Sequence, residues 1–103
     1  MLIYRMNFTF AKTGMMKFIS HLDLMRLFMR AVRRAELPVK ITEGFNPHPK
    51  LSIKRALKLG VESDSEEAAF LLRGPVAPRE FRERLQEQLP EGIYIREVHS
   101  EER

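Results

Sequence analysis

A chain of 103 residues, 44% hydrophobic and 31% charged, is long enough to bury one core and too short for two. No apolar run approaches the roughly 20 residues of a membrane span, and the lack of cysteine excludes disulfides, thiolate metal sites and a cysteine nucleophile. The net charge of +4 is unevenly spread, with +9 in residues 1–60 and −5 in residues 61–103. Either the halves attract each other, or the basic side chains gather on one face that meets a polyanion, RNA or DNA. His21, His48 and His99 make no convincing metal site without close carboxylates. The N-terminus has no basic stretch followed by an apolar block, so the expected location is the cytoplasm.

Leu2, Tyr4, Met6, Phe8 and Phe10 alternate with Ile3, Arg5, Asn7 and Thr9, the period of a half-buried strand over residues 2–10. A turn at Thr13-Gly14 follows. Ser20, with Asp23 three residues on, predicts a capped helix from His21 to Glu36, stopped by Pro38. Its expected apolar stripe is Leu22, Met25, Phe28, Met29, Val32 and Ala35. Arg26, Arg30, Arg33 and Arg34 repeat at helical spacing on the other side, a basic ridge that is either a solvated face or a contact surface.

Val39 to Thr42 reads as a short extended piece leading into Gly44-Phe45-Asn46-Pro47-His48-Pro49-Lys50. Each proline fixes its own φ and pushes the preceding residue, here Asn46 and His48, toward extended geometry. The segment is either a rigid chain reversal or a surface that presents His48 beside Lys50 at low entropic cost. Residues 51–59 resume a strand, with Leu51, Ile53, Leu57 and Leu59 on one face and Ser52, Lys54 and Lys58 on the other. Glu62 to Glu66 reads as an acidic turn, and residues 68–73 as a strand ended by Gly74-Pro75. Pro78 opens a second helix with Phe81, Leu85 and Leu89 as its apolar stripe. Pro90-Glu91-Gly92 breaks it, residues 93–98 form the last strand, and residues 99–103 are a charged tail.

Strand, helix, strand, strand, helix, strand is the order of an α+β, ferredoxin-like βαββαβ sandwich: one domain over residues 1–98, with an antiparallel sheet carrying two helices on one face. Its open face would hold Arg5, Asn7, Thr9, Ser52, Lys54 and Lys58. The first-strand aromatics point inward, which favours phosphate contacts over base stacking.

The run from Lys17 to Arg26, the segment from Glu43 to Ser52, and Leu59-Gly60-Val61-Glu62-Ser63 together resemble the radical SAM-linked domain family, a bacterial group of uncharacterised function. Its members are fused behind a radical SAM enzyme or encoded near one, often beside a ribonuclease and ribosomal proteins. The resemblance implies an accessory module in RNA or translation-related modification. Family members are commonly longer than this chain, which looks like a first half or a short form.

Charge and resemblance together predict a non-catalytic RNA-binding domain with no cofactor and no metal. It would hold tRNA or ribosomal RNA through Arg26, Arg30, Arg33, Arg34, Lys50, Lys54 and Lys58, with closer contacts from His21, Asn46 and His48. A second possibility is a docking module for the radical SAM protein, using Phe45, the proline-rich loop and the basic ridge. A third is a ribonuclease: helix-one His21 resembles the assisting histidine of ferredoxin-like CRISPR repeat-processing endoribonucleases. That chemistry needs a second proton-transfer group, His48 or Tyr4.

Overall fold

A computed structural model describes residues 3–102. Leu2, expected in the first strand, and Arg103, expected in the tail, lie outside the described residues. Four strands and two helices follow the expected order: β1 (Tyr4–Lys12), α1 (His21–Arg34), β2 (Leu51–Ile53), β3 (Ser63–Leu72), α2 (Pro78–Glu87) and β4 (Ile93–Glu102). The antiparallel sheet is ordered β2-β3-β1-β4, consistent with a ferredoxin-like sandwich.

One face of the sheet carries the core. Met6, Phe8 and Phe10 of β1 pack with Phe70 of β3 and with Ile93 and Ile95 of β4. Over them lie Leu24, Phe28, Ala31 and Val32 of α1 and Phe81 and Leu85 of α2. Phe8 is the hub, its ring centroid 5.6 Å from Phe28 and 5.9 Å from both Phe70 and Phe81. Aromatic pairs at these separations add about 0.5–1.5 kcal/mol each beyond their area burial.

The cap of α1 forms as expected, the Asp23 amide donating to Ser20 Oγ at 3.1 Å. The helix faces the core along Leu24, Phe28, Ala31, Val32 and Ala35, a stripe that shares Phe28, Val32 and Ala35 with the expected one. Leu24 replaces Leu22, which is exposed: two stripes of three-and-four spacing overlap in this sequence, and packing on Phe8 and Phe10 selects one. The helix stops at Arg34 rather than Glu36, because Glu36 takes a left-handed φ of 55°. Arg84 of α2 donates to the carbonyls of Ala35 and Glu36, which satisfies acceptors left over at the helix end.

Three further boundaries differ from expectation. Strand pairing in the fifties ends at Ile53, because the chain bends at Lys54-Arg55 and Arg55 turns back to Glu66; Leu59, expected inside, is exposed. The acidic stretch that reads as a turn is instead the start of β3, with Glu66 buried. The supposed tail continues β4, Tyr4 pairing with Glu102 and Asn7 with His99. Polarity hid this last strand segment, because its outward residues face solvent and its backbone is held by β1.

Alternation carries Lys12 to the side of Phe8 and Phe10, and Ala11 is buried beside it where the register with β3 shifts after Phe10. The buried Lys12 ammonium donates to the carbonyls of Lys58 at 3.1 Å and Lys17 at 3.5 Å. Burial lowers its pKa, opposed by the nearby Glu66 carboxylate. Glu66 receives Arg55 Nε and Nη2 at 2.8 and 2.7 Å and the Ser63 hydroxyl; the Arg55 hydrogen bonds hold its pKa below the usual range against desolvation.

Candidate nucleic-acid interface

Arg5, Asn7, Thr9, Ser52 and Lys54 do lie on the open face of the sheet, around a groove of about 720 Å³. Glu67, Glu97 and Glu101 line the same groove. Lys54 sits 2.8 Å from Glu67, whose hydrogen bond raises the lysine pKa. Carboxylates from the acidic half therefore offset the sheet-face cations, and this groove presents mixed charge rather than a positive field.

A different arrangement holds at the C-terminal end of α1. Arg33 donates to the Pro47 carbonyl at 3.3 Å, which joins the basic ridge to the proline-rich loop. Within that loop the Thr42 amide donates to the His48 carbonyl at 2.8 Å, and the His48 amide donates to Thr42 Oγ1 at 3.1 Å. Ile41 bridges Pro49, and Gly44 takes a φ of 121° that a side chain rarely adopts. Two closures across Thr42 and His48 plus two prolines leave the tip little freedom, and that tip presents Phe45 fully exposed.

Beside the loop, Arg33, Lys40 and Arg73 line an open hollow of about 550 Å³ with Leu37, Val39 and Ile41. Lys40 is held by backbone bonds to Leu71 and Lys50, and Arg73 by its amide to the Pro38 carbonyl and its Nε to the Val39 carbonyl at 3.1 Å. Among the described residues, no carboxylate lies within ion-pair distance of Arg30, Arg33, Arg34, Lys40, Lys50 or Arg73. Cations without carboxylate partners keep their field for a ligand.

The remaining candidates divide by position. Asn46 and His48 are exposed on the loop, with His48 Nδ1 3.1 Å from the Pro49 carbonyl. Arg26 is 3.6 Å from Asp23, an exposed pair of little energetic weight. His21 opens α1, so the twelve residues to Arg33 place it about 18 Å away along the axis. Lys58 lies at that same far end, its carbonyl held by Lys12. The structure thus brings Arg33 together with Asn46, His48 and Lys50, but not with His21 or Lys58. Tyr4, at the opposite end of β1 from Lys12, is also remote from His21, the eight residues spanning about 27 Å. Among the described residues, no three His, Asp or Glu side chains converge as a metal ion would require, and no helix is long and apolar enough to cross a membrane.

Lys40 and Arg73 are absent from the sequence-level site. Lys40 was legible as the outward neighbour of Val39 in the extended piece before the loop. Arg73 was not, since only the pairing of residues 38–40 with the end of β3 carries it there.

The features together define an α+β sandwich with a cationic end built on a stiff loop. Residues 5–103 match a family described as uncharacterized proteins conserved in bacteria, DUF2344, and the chain belongs to that family. No curated protein and no solved structure matches it.

Proposed function

We propose that this protein is a non-catalytic RNA-binding module whose contact surface is the C-terminal end of α1 with the Thr42–Lys50 loop. The observation that carries this reading is the gathering of Arg33, Lys40 and Arg73 around a hollow beside the stiff loop that exposes Phe45, with no carboxylate partner among the described residues on these three or on Arg30, Arg34 and Lys50. Phosphates take the cations, and the Phe45 ring offers a face on which an unpaired base stacks. Asn46 and His48, on the same loop, supply hydrogen bonds to a base or sugar. Lys54, neutralised by Glu67, contributes little.

The resemblance to radical SAM-linked domains supplies the setting: a cytoplasmic accessory to a radical SAM enzyme that modifies tRNA or ribosomal RNA, this chain holding the substrate and the partner performing the chemistry. The separation of His21 from His48 and Tyr4 gives the ribonuclease reading no acid–base pair to work with. Titration of a fluorescently labelled single-stranded RNA against the full chain at low salt tests the proposal. Saturable binding weakened by Phe45→Ala supports it. Absence of binding at low salt rejects it, and nuclease-insensitive co-purification with a radical SAM protein would then favour protein docking through the same loop.

A further inference from the structure

The end of the domain opposite the cationic loop is apolar. Met15, Phe18, Leu22, Leu59 and Val61 are each between 52% and 80% exposed, and they come from three places in the chain: the 3₁₀ turn Gly14–Phe18, the first turn of α1, and the turn around Gly60. The 3₁₀ turn and the turn around Gly60 are fastened together, and α1 follows the 3₁₀ turn directly in the chain. The Gly60 amide donates to the Lys17 carbonyl at 2.6 Å, the Gly14 amide donates to Glu62 Oε1 at 3.0 Å, and the buried Lys12 ammonium bonds the carbonyls of both Lys17 and Lys58. A buried cation spent on fixing two surface turns presents their apolar tips as one rigid surface. Clustered exposed apolar side chains on a rigid support mark an interaction site.

The charges around this surface say what covers it. Lys17 and Lys58 have no carboxylate within ion-pair distance among the described residues. Glu62 is occupied by the Gly14 amide and Asp23 by Arg26. A second copy would bring the same two lysines, and its nearby carboxylates are already engaged by the Gly14 amide and by Arg26. An anionic lipid surface would meet Asp23 and Glu62 along with the lysines. A protein segment can place its charges selectively, apolar at the centre with carboxylates opposite Lys17 and Lys58.

We propose that this end docks an acidic amphipathic helix of a partner protein, independently of RNA at the other end. The test uses two synthetic helical peptides with leucine and phenylalanine on one face, flanked by glutamate in one and by lysine in the other, titrated against the full chain. The glutamate peptide is expected to bind at least about tenfold tighter than the lysine peptide. Met15→Ser with Leu59→Ser should weaken it about tenfold or more, and Lys17→Glu with Lys58→Glu should reverse the peptide preference. Met15, Lys58 and Leu59 are exposed, and Lys17 is half-buried with its ammonium over the exposed Phe18 ring, so melting temperatures should stay close to that of the parent, which separates lost docking from lost folding. Equal affinity for the two peptides, or no binding of either, overturns the proposal. So does pelleting with phosphatidylserine vesicles in place of peptide binding, or concentration-dependent dimerisation abolished by Leu59→Ser.

Discussion

Replacing Glu66 with glutamine keeps the shape of a buried side chain and removes its charge. Glu66 and Lys12 are the buried charged residues among those described, and the substitution leaves the Lys12 ammonium with backbone carbonyls alone. Breaking a fully buried pair from one side costs about 3–5 kcal/mol. Arg55, which donates twice to Glu66, is itself 72% exposed, so water compensates part of its loss, and about 2–3 kcal/mol is the expected cost after that discount. For a domain of this size each kcal/mol moves the melting temperature by about 4–8 °C, which puts Glu66→Gln about 10–20 °C below the parent. The pH dependence has a definite sign. The folded pKa of Glu66 is depressed, so its stabilisation is complete above the ordinary glutamate value, about 4.3, and disappears as pH falls through the folded value. Thermal melts followed by circular dichroism at neutral and acid pH check this: the gap between parent and variant should narrow as pH drops. A variant melting within a degree or two of the parent at neutral pH would refute the reasoning, as would a gap that stays constant on acidification.

Other substitutions probe the remaining elements. Gly92 has φ 101°, and a Cβ there would stand 2.6 Å from Met16 Cγ and 2.8 Å from the Thr13 carbonyl; Gly92→Ala should cost about 2 kcal/mol or more in strain and repacking, read as a lowered urea midpoint. Glu36→Gly should raise that midpoint, relieving a left-handed residue at the end of α1 by about 0.5–1 kcal/mol. Thr42→Val removes the acceptor of the His48 amide and should speed hydrogen exchange at that amide while leaving exchange in β1 unchanged.

The architecture was readable because each element's period agreed with its caps and breakers: Ser20 before α1, Pro78 opening α2, and the strict alternation of Met6, Phe8 and Phe10. The misread acidic turn and the misread tail share one cause, which is long-range pairing overriding local polarity. Glu66 is acidic and buried because Arg55 comes to meet it from another segment. Residues 99–102 are polar and yet extended because β1 pairs with them. The candidate site divided along the same line. The loop and the Arg33 end of α1 were visible as local motifs, whereas the offset of Lys54 by Glu67 and the approach of Arg73 to Lys40 depend on register that no single segment encodes.

Arg33, Lys40 and Arg73 together carry the proposed phosphate contact, so the decisive measurement compares the salt dependence of RNA binding by the parent with that of Arg33→Ala/Lys40→Ala/Arg73→Ala. Each phosphate contact on a single strand contributes about −0.7 to the slope of log affinity against log salt, so losing three flattens the slope by about 2. Over a fourfold rise in salt, from about 50 to 200 mM, the parent should then lose about twentyfold more affinity than the variant, while Lys54→Ala follows the parent. Identical slopes for parent and triple variant would contradict a contact surface at this end of the molecule.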